Sequence, residues 1–174
     1  AIGRSDIRPD AMMGYQACQN ASELPPACGN FGVGTGATVG KILGITQAMK
    51  SGVGSASMDI GGGVMVGALI AVNAFGDIRD PQSGKILAGA RPKAIGPVTI
   101  GASGKFANTL EVMRSFTGRQ IMGFASRQNT VIGVIATNAK LNKDEVNKVA
   151  QMAHNGLALT IQPACQYSWQ GLGA

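Results

Sequence analysis

The stretch Thr130-Val-Ile-Gly-Val-Ile-Ala-Thr137, together with the residues that follow it, decides the fold class of this chain. Its β-branched side chains pack well on a pleated surface, so the stretch is predicted to be a strand. Asn142 and Glu145 then stand in capping-box spacing, which predicts the first turn of a helix. One apolar stripe at three-to-four-residue spacing continues that helix: Val146, Val149, Ala150, Ala153, Leu157 and Ile161. Pro163 is expected to end the helix, because proline lacks the N–H that an interior turn needs.

Local signals on the upstream side predict a series of shorter elements. In chain order these are a helix over 10–21, a buried strand over 64–73, a type I turn over 80–84, a returning strand at Ile86-Leu87, a loop over 89–104 and a helix over 106–116. The order is not a regular βαβ alternation. We therefore expect an α/β protein of layered helices and hairpins, with residues 1–174 forming one domain.

The composition excludes a disordered chain, because 45% of the 174 residues are hydrophobic and only 14% are charged. The net charge of +6 comes from the second half of the chain, where cations stand singly: Arg91, Lys93, Lys105, Arg114, Arg119 and Arg127. Nucleic-acid binding usually combines a dense basic patch with aromatic side chains that stack on bases. Aromatic residues make up only 5% of this chain, so we expect a solvated basic surface and no nucleic-acid partner.

Cysteine and histidine usage argues against a disulfide framework and against a metal site. Cys18, Cys28 and Cys165 form an odd set, and His154 is the only histidine. We therefore expect small core cysteines in a reducing cytoplasm, a partly buried histidine, and no metal or other cofactor. The longest apolar run, Val64 to Phe75, is interrupted and too short to span a bilayer. No membrane contact is expected, and no signal peptide is predicted.

The glycine-rich stretch Gly34-Thr-Gly-Ala-Thr-Val-Gly-Lys41 raises the question of a phosphate site. A Walker A motif has a glycine five residues before its Gly-Lys pair and a hydroxyl residue after that pair. Here Thr35 and Ile42 stand in those two places. The dinucleotide motif fails as well, because the third glycine comes one residue late. Phosphate or nucleotide binding by this stretch is therefore the weaker alternative.

Asn129 and Thr130 stand at the head of the predicted strand and indicate a second kind of chemistry. Cleavage of the bond between them would leave Thr130 with a free α-amine beside its own hydroxyl. An α-amine has an ordinary pKa of about 8, so it can take the hydroxyl proton and turn the threonine into a nucleophile. Before cleavage the same nitrogen is an amide and cannot act as a base. The sequence pattern alone is equally compatible with Thr130 as an ordinary strand residue that has no catalytic role.

Four separated segments together resemble one family, the DmpA-type L-aminopeptidase/D-esterases and nylon-oligomer hydrolases. The segments are Gly34–Lys41, Val66–Asn73, Asp80–Gly84 and Asn129–Asn138, in the order and spacing of the family. The helix that ends at Pro163 continues the similarity, which covers about residues 4–163. Members of this family cleave themselves to expose a serine or threonine nucleophile. The resemblance implies a four-layer α-β-β-α sandwich, of which this chain is expected to hold an incomplete copy.

Carried over by position, the resemblance implies catalytic roles for Thr130, Asn73 and Lys41, and self-cleavage between Asn129 and Thr130. Thr130 would be the nucleophile, and the Asn73 side-chain N–H would donate to the developing oxyanion. Lys41 would lie near the Thr130 hydroxyl or amine and tune its basicity. The implied activity is hydrolysis of amide bonds in small peptides, amino-acid amides or amide oligomers. The implied assembly is a homo-oligomer of cleaved chains.

The sequence departs from the family in two places. Family members are considerably longer, and this chain begins where their upstream half ends; that half supplies central strands and a tyrosine of the active site. Downstream of Pro163 the family has an Asp-Gly-Asp-Thr segment, whereas Ala164–Ala174 contains no Asp or Glu. A catalytically inactive relative that only binds or assembles is therefore an alternative function. We expect the uncleaved chain to lack amidase activity and to associate through strands without neighbours.

Overall fold

The computed structural model of the protein describes residues 6–95, 97–101, 104–115 and 129–164. The helices in these ranges are α1 (Ala11–Gln19), α2 (Thr109–Arg114) and α3 (Lys143–Thr160), with a 3₁₀ turn at Gly32–Gly34. The strands are β1 (Thr38–Val39), β2 (Met49–Lys50), β3 (Val53–Asp59), β4 (Met65–Ala71), β5 (Asp77–Arg79), β6 (Ile86–Ala88), β7 (Lys93–Ile95), β8 (Val98–Ile100), β9 (Ile132–Thr137) and β10 (Ile161–Gln162). Helices and antiparallel sheets together give the mixed α/β fold that the sequence predicts.

A three-stranded sheet in the order β3-β4-β9 contains the longest strand pairings. Strand β4 is central, so its backbone is hydrogen-bonded to β3 on one side and to β9 on the other. Strand β9 runs antiparallel to β4, with Ile132 opposite Ala71. The first residue of β9 therefore lies beside the last residue of β4. This pairing brings Thr130, two residues before β9, to the same end of the sheet as Asn73, two residues after β4.

The two faces of this sheet have different surroundings. Ile70 and Gly133 are paired across the strands and line a cavity of about 470 Å³, which lies between the sheet and the apolar stripe of α3. Successive residues of a strand point to opposite faces, so the next pair, Leu69 and Val134, lies on the other face. We call that other surface the open face; its exposed apolar side chains are Met65, Leu69, Ile132 and Val134.

Two segments contribute half of the buried apolar side chains that the structure describes. The first is residues 37–43 and the second is residues 73–77. Each contributes to both buried apolar clusters: Ile42 and Phe75 belong to one, and Val39 and Ala74 belong to the other. The sheet β10-β5-β6 continues from the second segment. Polar side chains on these two segments are therefore held in a buried, closely packed setting.

Predictions that rest on short-range signals are confirmed. The helix predicted over 10–21 is α1, and the helix predicted from 106 is the shorter α2. The predicted turn over 80–84 joins β5 to the returning strand β6, and Asp80 accepts hydrogen bonds inside it. The capping box is present at the start of α3, with the Asn142 side chain accepting from the Glu145 N–H.

Several expectations about the elements are wrong. The loop predicted over 89–104 contains the hairpin β7-β8. Strand β3, over Val53–Asp59, is not among the predicted elements. Backbone ladders hold these strands. Strand β3 carries little strand signal, whereas the β-branched residues Val98, Thr99 and Ile100 of β8 are a strand signal that the loop prediction overlooked. Helix α3 ends at Thr160, before Pro163, because Ile161 and Gln162 pair with β5. The strand predicted as buried over 64–73 is only partly covered, because its alternate side chains lie on the open face.

The cysteines and the histidine also differ from expectation. Cys18 and Cys28 are exposed rather than core residues, since α1 and the residues that follow it bury no side chain. His154 is exposed rather than partly buried, and its Nδ1 lies 3.0 Å from the Ala150 carbonyl oxygen. Cys165, like the rest of 165–174, lies outside the described residues. Within the described ranges no helix has the length and apolar character that a membrane span requires.

Candidate active site

A backbone strap, residues 37–41, lies along the segment that follows β4. The Gly40 N–H donates to the Gly76 carbonyl and the Lys41 N–H donates to the Phe75 carbonyl, both at 2.9 Å. Gly40 has a φ of 66°, and a Cβ there would collide with the backbone of Gly89 and Ala90. Only glycine fits such a position without strain. The glycine-rich composition thus serves close backbone packing, and it places the Lys41 side chain inside the molecule.

Lys41 is buried, with 2% of its surface exposed, and its ammonium contacts amide oxygens. The Nζ donates to Asn73 Oδ1 at 2.7 Å and lies 3.4 Å from the Asn73 carbonyl oxygen. It also donates to Asn129 Oδ1 at 3.0 Å. Asn129 is separated from Lys41 by 88 positions in the chain. The lysine therefore joins the strap, the end of β4 and the residue before Thr130.

Burial lowers the pKa of Lys41 from 10.5 to about 8. The cause is desolvation, which disfavours the charged form of the amine. The amide oxygens of Asn73 and Asn129 partly replace water as acceptors, but they carry no formal charge that would restore the usual basicity. An amine with this pKa exchanges protons near neutral pH, which is the property that a general base or acid requires.

The orientation of the Asn73 amide follows from its partners. Its Oδ1 accepts from two N–H donors, the Lys41 Nζ and, at 3.2 Å, the Thr38 backbone N–H. Neither donor can be satisfied by an NH₂ group, so these contacts assign the oxygen end of the amide. The NH₂ group therefore points away from the lysine. That polarity suits donation to an oxygen that develops negative charge.

Thr130 adjoins this cluster through the chain itself. Asn129, whose side chain accepts from Lys41, is half-buried, and Thr130 is exposed at the approach to β9. The next residue, Val131, packs against the buried cluster of Val39 and Ala74, which anchors this part of the chain. Of the residues selected from the sequence, the structure thus brings Lys41, Asn73 and Asn129 into direct contact, with Thr130 bonded to the last of them.

Sequence reasoning missed one polar residue that supports the site, Asp77. Its buried carboxylate accepts from the Thr109 N–H and from the Thr109 hydroxyl, each at 2.7 Å. Burial raises the pKa of this carboxyl, while the bonds from Thr109 and from the Ala90 N–H act in the opposite direction. Asp77 thereby fastens α2 to the segment that carries Asn73. A single aspartate at the start of a three-residue strand gave no sequence signal for this role.

The other candidate chemistries gain no support from the geometry. The Gly34–Lys41 stretch runs into β1 and the buried strap, without the helix that follows a phosphate loop. The Lys41 Nζ donates to interior amide oxygens instead of pointing to solvent. Across the described part of the chain, no three His, Cys, Asp or Glu side chains are grouped closely enough to hold a metal ion.

Comparisons with known proteins identify the family. The sequence profile of peptidase family S58 matches residues 4–170. An uncharacterized aminopeptidase of Mycobacterium leprae is 35% identical in an alignment of 177 positions that covers 94% of this chain and 42% of that protein. Uncharacterized aminopeptidases of Mycobacterium bovis and Mycobacterium tuberculosis are each 36% identical in an alignment of 173 positions that covers 94% of this chain and 43% of theirs. The chain spans about two fifths of the length of these curated relatives.

The profile match extends over nearly the whole chain and includes Lys41, Asn73, Asn129 and Thr130. The identity to the mycobacterial proteins extends over a similar share of the chain. The chain therefore belongs to peptidase family S58.

Proposed function

We propose that this chain takes part in amide-bond hydrolysis, with Thr130 as an N-terminal nucleophile released by self-cleavage after Asn129. The observation that carries the proposal is the buried Lys41 amine, which is hydrogen-bonded both to Asn73 and to the residue before Thr130. A partly neutral amine, an amide donor and a hydroxyl residue that follows an acceptor of that amine in the chain form the set that acyl transfer needs.

Self-cleavage is the first step of the proposed mechanism. The Thr130 Oγ attacks the Asn129 carbonyl carbon while Lys41 takes the hydroxyl proton. The bond from that carbon to the Thr130 nitrogen then breaks, and Lys41 returns the proton to this nitrogen, which becomes an amine. An ester now links Asn129 to the Thr130 oxygen. Water hydrolyses this ester, which leaves a carboxylate on Asn129 and a free hydroxyl and α-amine on Thr130.

Hydrolysis of a substrate amide repeats this chemistry in trans. The α-amine of Thr130 takes the proton of its own hydroxyl, and the oxygen attacks the substrate carbonyl. The Asn73 NH₂ donates to the oxyanion of the tetrahedral intermediate; such a donor typically lowers the barrier by about 3–4 kcal/mol. Lys41 holds Asn73 in place and, as a cation, disfavours protonation of the nearby α-amine.

We assign the chain to the DmpA-type aminopeptidases and nylon-oligomer hydrolases within this family, with small peptides, amino-acid amides or amide oligomers as substrates. The four matching segments and the aminopeptidase names of the mycobacterial relatives support this assignment. We also propose a cytoplasmic homo-oligomer of cleaved chains, with no nucleic-acid or membrane partner. The four-layer sandwich and the membership of residues 1–174 in a longer domain belong to the same proposal.

A denaturing gel with intact-mass analysis tests the proposal. We expect purified protein to yield two pieces, 1–129 and 130–174, because Thr130 supplies the attacking hydroxyl. Thr130→Ala should remain a single chain, since no other group replaces that hydroxyl. Thr46→Ala, a matched change at an exposed threonine away from the cluster, should cleave like the parent. A single intact band from the parent protein, or cleavage at another bond such as one near Arg119, would contradict self-processing and favour a relative that only binds or assembles.

A further inference from the structure

Two different groups of Asn129 take part in the proposed self-cleavage site. Its carbonyl carbon is the atom under attack, and its side-chain oxygen is an acceptor for Lys41 at 3.0 Å. The proposed function uses only the first of these. The second is specific, because the Nζ of a buried lysine can form only a few hydrogen bonds and one of them goes to this residue. Asn73 and Asn129 thus hold the amine from two different segments of the chain.

The charge of this acceptor matters because Lys41 is buried. Desolvation favours the neutral amine, whereas a carboxylate at hydrogen-bond distance would favour the ammonium and raise its pKa. The charged groups on the surrounding elements include Lys50, Asp77, Arg79 and Arg91. Asp77 accepts from Thr109, and Lys50 is exposed. Arg79 donates to the Asn108 side chain, and Arg91 donates to the Ala48 carbonyl.

We propose that the Asn129 side chain is a positioning residue for self-cleavage. It holds the Lys41 amine next to the scissile bond through a neutral acceptor, so that the amine can lose its proton. The inference rests on the proposed function, because its consequence for the rate of cleavage requires that the chain cleaves itself. The contact itself, between a neutral amide and the lysine, can be tested without cleavage. An aspartate at this position would keep the size and the acceptor while it adds the charge.

The first experiment measures the Lys41 titration in the uncleavable Thr130→Ala chain, by NMR of the lysine side chain. We expect a midpoint near pH 8, and a midpoint higher by about one pH unit or more when Asn129→Asp is added. Asn147→Asp on the exposed side of α3 is the matched control and should leave the midpoint unchanged. A Lys41 midpoint that stays the same when Asn129→Asp is added would overturn the proposal, whatever the cleavage rate.

The second experiment follows self-cleavage after refolding, as a function of pH, in chains that keep Thr130. The parent rate should rise through the Lys41 midpoint. Asn129→Asp should shift this rise to higher pH by the same amount as the titration and recover most of the rate there. Asn129→Ala adds no charge and should not raise the midpoint, but it should lose roughly ten- to a hundredfold in rate at every pH, because the amine is no longer held. Circular dichroism checks that each variant folds.

The outcomes separate the two proposals. A parent chain that never cleaves, while Lys41 titrates as described, contradicts the proposed function and leaves the Asn129–Lys41 contact supported. Equal rates and pH profiles in the parent, Asn129→Asp and Asn129→Ala would overturn the positioning role and leave self-cleavage intact. A first piece lighter by one water than the hydrolysis product would also overturn it, because the Asn129 side chain would then itself have attacked the carbonyl to form a cyclic imide.

Discussion

Burial of Lys41 costs the fold free energy, because an ammonium loses its hydration when it is buried. The amide oxygens of Asn73 and Asn129 replace only part of that hydration. Groups with such strongly altered pKa values are concentrated at functional sites in proteins. A core residue selected only for stability would be apolar here, as its neighbours Val39 and Ile42 are.

The altered pKa of Lys41 predicts how stability changes with pH. The folded-state value of about 8 lies below the ordinary 10.5, so between these values the unfolded chain binds more protons than the folded one. Stability relative to Lys41→Met should therefore rise with pH across this window, by up to roughly 3 kcal/mol. Urea unfolding of both chains at about pH 7 and about pH 10, in the Thr130→Ala background, measures this difference. Parallel pH dependences would show that the amine is not buried.

Helices and turns of this chain follow from neighbouring residues, whereas most strands do not. The capping box of α3 and the turn over 80–84 are closed by hydrogen bonds between residues a few positions apart, so their sequence signals are sufficient. Strand β3 is rich in glycine, serine and alanine and exists because β4 pairs along its whole length. The contact between Lys41 and Asn129 depends on another long-range pairing, that of β9 with β4. Resemblance to a family, rather than local pattern, selected those residues.

The capping box of α3 provides a prediction at the level of one element. Asn142→Ala should lower the free energy of unfolding by about 1 kcal/mol, because the Asp144 and Glu145 N–H groups lose their side-chain acceptor. Asn147→Ala makes the same chemical change at an exposed interior position of the helix. It should be neutral or stabilising by a few tenths of a kcal/mol, since alanine is the better helix former. Urea unfolding compares the two, and equal losses would argue against the capping role.

At the scale of the whole molecule, the open face is the most conspicuous surface. Its four apolar side chains are between 38% and 63% exposed, whereas α3 packs over the β9 side of the opposite face. Contiguous apolar surface of this kind favours association. The oligomer expected from the sequence stays a prediction. We expect a second copy of the chain to pack on the open face.

Substitution on the open face tests this association. Val134→Lys places a charge among the apolar side chains and should shift the protein towards monomer in sedimentation velocity. Leu87→Lys is the matched control, because Leu87 is similarly exposed, at 60%, but lies on β6. It should leave the distribution of species unchanged. A parent chain that sediments as a monomer, or an equal effect of both substitutions, would contradict self-association through this face.

In the part of the chain that the structure describes, both strands that follow Thr130 are paired with strands that precede it. Strand β9 lies along β4, and β10 lies along β5. Two polypeptides divided at this point are therefore expected to complement each other, since neither ladder requires the backbone to be continuous between Asn129 and Thr130. Complementation would separate the two proposed roles of Thr130, which are self-cleavage of the chain and attack on a substrate amide. A piece that begins at Thr130 carries the α-amine from its synthesis onward, so its reactivity with a substrate amide could be observed in a protein that never had to cut itself.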